Sequence, residues 1–376
     1  MVDLPSSDWT ETSLIEAPAP FDYTGLLTLG PSLCDPDQRR QFGPQTITGR
    51  AENWRMRNVT LVAPCSVVFK GTQEIEATRY CVYPNEKALM LKALEGPHQR
   101  LDGRSVFAGL NRVSANYFHI ITQIIPAIAG YQLCPGFREG VLLLNAPSPT
   151  LLRGLQLAGV VMPEWLRFNQ TAPIDVEDLT YSTYLVEANM LSRFSLAVFD
   201  RMIANAGIPE VSASSVERII YVWRADTQAR EMLNEDQLVD RLVRDFNVEP
   251  VILSSLHLDQ QIALFQSARV VVAPHGAGLA NVVFCSPGAV LYELLPDHYI
   301  NSAPNHLAQL RGLDYWCDVH RSEPASGRWR HQVPWTVDIE AVARRLAEII
   351  STDRARPRQV TRQSVHDATL NPVNGP

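Results

Sequence analysis

Residues 273–296 read Ala-Pro-His-Gly-Ala-Gly-Leu-Ala-Asn-Val-Val-Phe-Cys-Ser-Pro-Gly-Ala-Val-Leu-Tyr-Glu-Leu-Leu-Pro. The apolar run Val270-Val-Val-Ala273 stops at Pro274 and His275. A turn carrying Gly276 and Gly278 follows, then a short amphipathic segment, then a second apolar strand that bears Glu293. Strand, glycine turn and helix start together suit a nucleotide diphosphate. Glycine lets backbone approach an anion with no Cβ in the way. The first turn of a helix presents unpaired N–H groups to it. An acid at the next strand end can take ribose hydroxyls, as in other doubly wound nucleotide sites.

Two further segments lie upstream. Ile220-Tyr-Val-Trp-Arg224 leads into a polar loop and then Arg230-Glu-Met-Leu-Asn234-Glu-Asp-Gln-Leu238. Earlier still, Asn116-Tyr-Phe-His119 opens an apolar stretch that contains Pro126. With His275-Gly-Ala-Gly-Leu-Ala-Asn281, Phe284, Pro287-Gly288 and Glu293, these segments resemble the signature of glycosyltransferase family 61 over roughly residues 110–350. The resemblance implies an inverting, metal-independent sugar transferase of the GT-B type: α/β, two Rossmann-like doubly wound lobes facing an interdomain cleft. It also implies a place in bacterial capsular or surface-polysaccharide synthesis, with a UDP-sugar donor and a glycan or glycolipid acceptor.

Composition narrows the classes independently. The 376 residues are 46% hydrophobic, enough for two ordinary cores. The net charge is −7, with 19% charged residues and no basic stripe, a poor match to a nucleic-acid partner. No lysine or arginine precedes Arg39 and no apolar run approaches a membrane span, so neither signal peptide nor integral membrane segment is expected. The six cysteines (Cys34, Cys65, Cys81, Cys134, Cys285, Cys317) show no Cys-x-x-Cys pair and read as reduced thiols of a cytoplasmic protein. Metal-ligand spacing is missing, so no metal or other cofactor is expected. A homo-oligomer is compatible with the chain.

The expected organisation is an extended lead-in at 1–45, an acceptor-side Rossmann-like domain at 46–206, a nucleotide-sugar domain at 207–350 and a flexible tail at 351–376. Strand–helix alternation is clearest after the Gly207–Ser215 linker candidate. Strands are expected near 218–222, 248–253, 289–294 and 315–319, with helices near 234–246, 258–267, 304–311 and 338–350.

Candidate site residues fall into two groups. For nucleotide-sugar binding they are Arg224, Arg230, His275, Gly276, Ala277, Gly278, Leu279, Asn281 and Glu293. Arginine forks suit phosphate oxygens bidentately. Each has an alternative structural reading: His275 as a turn-stabilising group, Glu293 as a salt-bridge partner, Arg230 as a surface side chain. On the acceptor side stand Asn116, Gln123 and His119, the last being the catalytic base that the resemblance implies. Relatives commonly carry an acid four residues after that histidine, whereas this chain has Gln123, which cannot act as a base. A nucleotide-sugar epimerase and a non-catalytic sugar-nucleotide-binding protein are the competing readings.

Overall fold

A computed structural model describes residues 8–23, 36, 40–63, 66–145, 147–168, 172–186, 192–208, 218–324, 327 and 329–354. Residues 1–7, 24–35 and 37–39 of the lead-in, the linker candidate after residue 208, Cys34, Cys65 and the tail after residue 354 lie outside them. The contacts separate two compact units. One takes the described residues up to Pro20 and from Thr48 to Asn205; the other takes those from Phe21 to Ile47 and from Ala206 onward.

In chain order the first unit carries β1 (Thr10–Tyr23) and β2 (Gln45–Val62), whose outer ends fall in the second unit, then β3 (Val67–Lys70) and β4 (Gln73–Glu74). Helix α1 (Pro84–Ala93) and β5 (Gln99–Ala108) follow. Helix α2 runs as one α-turn (Tyr117–His119), a π-segment (Ile120–Ile124) and a second α-segment (Ile125–Tyr131). Then come β6 (Val141–Leu144), α3 (Pro149–Leu157), β7 (Glu164–Arg167), β8 (Ile174–Ser182) and α4 (Arg193–Asn205).

The first sheet has the order β4-β3-β2-β8-β5-β6-β7, with β1 on β2. Its β8-β5-β6-β7 half is parallel, but β2, β3 and β4 pair antiparallel. Two all-parallel lobes were expected, and this half-sheet differs. The reason is covalent: four residues link β2 to β3 and two link β3 to β4, whereas a parallel crossover needs a dozen or more. The lead-in is likewise not merely extended, since β1 within it is a paired strand.

The second unit holds β9 (Arg218–Val222), α5 (Glu235–Phe246), β10 (Glu249–Val251), α6 (Leu258–Ser267), β11 (Ala268–Pro274), β12 (Val290–Pro296), α7 (Ala303–Arg311), β13 (Asp314–His320) and α8 (Ile339–Arg354). All five strands are parallel, in the order β10-β9-β11-β12-β13. Parallel strands covered on both faces read as continuous apolar runs, and every residue of β12 is buried. Leu238 and Leu242 of α5 and Val342, Leu346 and Ile349 of α8 pack with Val270, Val272 and Tyr292 into one core. Each large apolar side chain so buried contributes about 1.5–3 kcal/mol.

The strand order locates a ligand site. From β9 the chain steps to β10 on one side; from β11 it steps to β12 on the other. Crevices open at the carboxyl ends of two such strands. The residues that emerge there are Trp223-Arg224 after β9 and His275-Gly276 after β11.

Candidate active site

At the end of β9 the loop is fixed from both sides. Glu235, at the start of α5, accepts from the Tyr221 hydroxyl (2.9 Å) and from the Arg224 N–H (3.3 Å). Arg230 sits at φ 54°, a left-handed conformation unusual for a non-glycine residue. Its N–H donates to the His331 carbonyl (2.8 Å) and its carbonyl accepts from the Trp335 indole (2.8 Å). The strained residue is thus held by contacts on both sides of its peptide, a pattern common at functional sites.

Both arginines converge on one carbonyl. Arg224 Nη1 donates to His275 O at 2.5 Å, and Arg230 Nη2 approaches the same oxygen at 3.5 Å. Arg224 Nη2 donates to Ala229 O at 2.6 Å. Burial, and then the Arg230 charge, pull the Arg224 guanidinium down to about 10. The Glu235 and Asp226 carboxylates act the other way, and a guanidinium so desolvated beside a like charge is a candidate group for binding an anion. Arg230 also lies over the Tyr299 ring, at 4.6 Å, and donates to His331 Nδ1 at 2.8 Å. The loop lines a cavity of about 570 Å³ whose walls include Arg224, Thr227, Arg230 and Pro274.

His275 is held by a carboxylate. Its Nδ1 lies 2.5 Å from Glu293 Oε1, and Glu293 Oε2 accepts from the Tyr315 hydroxyl at 2.7 Å. An ionised carboxylate only accepts, so Nδ1 carries the proton and Nε2 is the ring nitrogen left for a ligand. Glu293 itself is fully buried, with both oxygens engaged. Glu293 was expected at ribose hydroxyls; in this structure its two oxygens are taken up by His275 and Tyr315.

The glycines make room for neighbouring side chains. Gly276 has φ −176°, extended backbone open to any residue. What it supplies is space, because a Cβ there would stand 3.2 Å from Arg224 Nη1. A Cβ on Gly278 would come within 2.8 Å of the Leu253 side chain. The segment Ala277–Phe284 is a 3₁₀-helix, and Ala277 and Gly278 at its start are half-buried. Leu279 and Asn281, expected at the ligand, are core residues. Asn281 Nδ2 donates to Gln261 Oε1 (2.9 Å) and Gly278 O (3.0 Å), tying the 3₁₀-helix to α6.

The second cluster lies in the first unit. In its sheet β8 breaks the sequential order β5-β6-β7 by lying on the other side of β5. Asn111 follows the carboxyl end of β5, Leu185 that of β8, and His119 opens α2. Asn116 is the helix cap, its Oδ1 accepting from the Phe118 N–H at 2.9 Å, and this accounts for it without a ligand. Pro126 has no N–H for the carbonyl four residues back. The helix widens just before it, Ile125 N–H bonding to Ile120 O in the π-pattern. π-segments of this kind often mark functional sites.

His119 is partly buried, with Tyr80 edge-on at 5.9 Å and Phe118 at 5.5 Å. Its Nδ1 lies 2.8 Å from Gln123 Oε1. Burial lowers its pKa below the usual histidine value, with the Gln123 bond acting the other way. Gln123 is fully buried and so does not face an acceptor itself. Sequence reasoning missed Asn111, Tyr299, Tyr315, His331 and Trp335. A buried strand-end acid signals that donors must exist, but finding Tyr315 requires the β12–β13 register.

Among the described residues, no group of three or more His, Cys, Asp or Glu side chains could hold a metal ion, and no helix is long and apolar enough to cross a membrane. Cys81, Cys134, Cys285 and Cys317 are free thiols.

Residues 117–292 match the family model of Glycosyltransferase 61, which supports that family for this chain. The EGF domain-specific O-linked N-acetylglucosamine transferase of Drosophila melanogaster is 30% identical over 142 residues, 36% of this chain and 26% of the relative. The protein O-linked-mannose beta-1,4-N-acetylglucosaminyltransferase 2 of Canis lupus familiaris is 31% identical over 140 residues, 35% of this chain and 22% of the relative. The beta-1,2-xylosyltransferase of Arabidopsis thaliana is 23% identical over 125 residues, 28% of this chain and 23% of the relative. The matched stretch thus spans about a quarter of the length of these relatives, which are eukaryotic.

Proposed function

We propose that the chain is an inverting glycosyltransferase that moves a sugar from a nucleoside-diphosphate donor, a UDP-sugar, to a hydroxyl of a glycan acceptor without a divalent cation. The observation that carries the donor half is the convergence of Arg224 and Arg230 on the His275 carbonyl at the carboxyl ends of β9 and β11. A diphosphate there would relieve the repulsion between the two guanidiniums, and gain more as the leaving group develops charge. His275 Nε2 would add a further donor while Glu293 holds the ring.

In the chemical step the acceptor oxygen forms a bond to the anomeric carbon as the bond from that carbon to UDP breaks. UDP leaves with the bonding pair. The acceptor proton passes to His119 Nε2, and attack opposite the departing group inverts the configuration. The names of two relatives carry N-acetylglucosamine, which makes UDP-N-acetylglucosamine the first donor to try, with UDP-xylose second.

The test is incubation with UDP-sugars and a panel of glycans, with and without EDTA, reading the product by NMR. Transfer with inverted anomeric configuration, indifferent to EDTA and lost in His119→Ala, supports the reading. Retention of configuration, a strict metal requirement, or isomerisation of the donor without an acceptor overturns it.

A further inference from the structure

The amide at position 123 has more to do than stand in for a missing acid. Asn111 is fully buried and its amide has one possible orientation. Its Oδ1 accepts from the Val113 N–H at 3.1 Å, and its Nδ2 donates to the Leu185 carbonyl at 2.9 Å. The same Nδ2 donates to Gln123 Oε1 at 3.0 Å. Turning the Gln123 amide over would set one NH₂ group against another, so its oxygen is the atom that must face Asn111. That oxygen is also the atom 2.8 Å from His119 Nδ1. An amide oxygen only accepts. The proton of the neutral imidazole therefore resides on Nδ1, and the lone pair on Nε2.

We infer that Gln123 is a positioning residue: oriented by Asn111 and the Leu185 carbonyl, it locks His119 as the Nδ1–H tautomer and aims a basic Nε2 at the acceptor hydroxyl. The inference rests on the reading of His119 as the base, but the tautomer it specifies can be observed without turnover. The arrangement has a cost that points the same way. Among the described residues Gln123 Nε2 is buried with no hydrogen-bond partner, a penalty that an apolar residue of similar shape would avoid. What glutamine provides in return is its oxygen. Unlike a carboxylate, that oxygen fixes the ring without adding a charge that would favour the imidazolium, so the histidine stays neutral and able to accept a proton.

Long-range ¹H–¹⁵N spectra of the full chain, with the His119 signals assigned by comparison with His119→Ala, test this directly. The expected pattern is a pyrrole-type Nδ1 and a pyridine-type Nε2. Gln123→Met removes the acceptor at similar volume and is expected to release the tautomer. With UDP-N-acetylglucosamine as probe it should lower the turnover number by roughly 10²–10⁴-fold, the effect of losing a correctly held base, with UDP affinity unchanged. Gln123→Glu retains an acceptor oxygen and is expected to retain the tautomer and most of the turnover. A pyridine-type Nδ1 in the unmodified chain, or an unchanged tautomer in Gln123→Met, overturns the inference. If Gln123→Met does not fold, the unmodified spectrum and Gln123→Glu still decide it. The expected tautomer without any transfer would contradict the assignment of His119 as the base and leave the positioning geometry standing.

Discussion

Two histidines sit at equivalent places in the two units, and their partners differ in charge. His275 follows the carboxyl end of β11, where the strand order reverses, and its Nδ1 meets the carboxylate of Glu293. His119 lies beside the carboxyl ends of β5 and β8, and its Nδ1 meets the amide oxygen of Gln123. Both partners hold the ring through Nδ1 and leave Nε2 as the other nitrogen. Only the carboxylate also stabilises a positive ring. A ring that faces phosphate gains from positive charge, whereas a ring that must take a proton has to begin without one. On the proposed function, one residue type is thus fitted to two tasks by one atom of its partner.

The sharpest way to break the comparison is to remove each ring in turn. His119→Ala is expected to reduce turnover by roughly 10²–10⁴-fold and leave UDP affinity alone. Equal losses of turnover and UDP affinity would show that the division of labour is wrong. Making the pairs alike comes next. Glu293→Gln keeps an acceptor for His275 and removes the charge; it is expected to weaken UDP about tenfold and to cost about 1–3 kcal/mol of stability by denaturant melt. Unchanged UDP affinity would mean that His275 does not serve the donor.

The converse change is Gln123→Glu. In the native chain burial lowers the His119 pKa below the usual histidine value, so on the proposed function the neutral base survives to lower pH than a free histidine would. The unfolded chain takes up the proton first, so His119 also makes the fold less stable as pH falls through that same region. A carboxylate at position 123 would favour the imidazolium and move the acidic limb of the turnover profile upward by roughly one unit or more. A limb that stays in place would mean that His119 does not set it. The smallest expected effect belongs to Gly276→Ala. The new Cβ, 3.2 Å from Arg224 Nη1, should displace the guanidinium slightly and weaken UDP several-fold. An unaltered Kd would show that Arg224 has room to spare.

Much of this was legible in the sequence, for identifiable reasons. The second unit's strands at 218–222 and 268–274 and its helix at 258–267 follow from unbroken apolar runs and a clear 3.6-residue period. Arg224 and His275 follow from the same runs, because each is where a run ends. The antiparallel edge of the first sheet was harder to see. Its strands β3 and β4 are only four and two residues long, too short for a period of two to register. The roles of Glu293, Leu279 and Asn281 could not be read locally. Whether a strand-end acid faces solvent or a tyrosine depends on the β12–β13 register, and Asn281 is committed to Gln261 on another helix. Gln123 appeared as a gap in the catalytic pattern because sequence shows its missing charge and hides Asn111, twelve residues upstream, which orients its oxygen.

Calorimetric titration with UDP, run with and without EDTA on the native chain and on Arg224→Ala, tests the donor site most directly. Micromolar binding that ignores EDTA and is lost with Arg224 is the expected result. Absence of UDP binding, binding that needs a divalent ion, or equal binding by Arg224→Ala would contradict it.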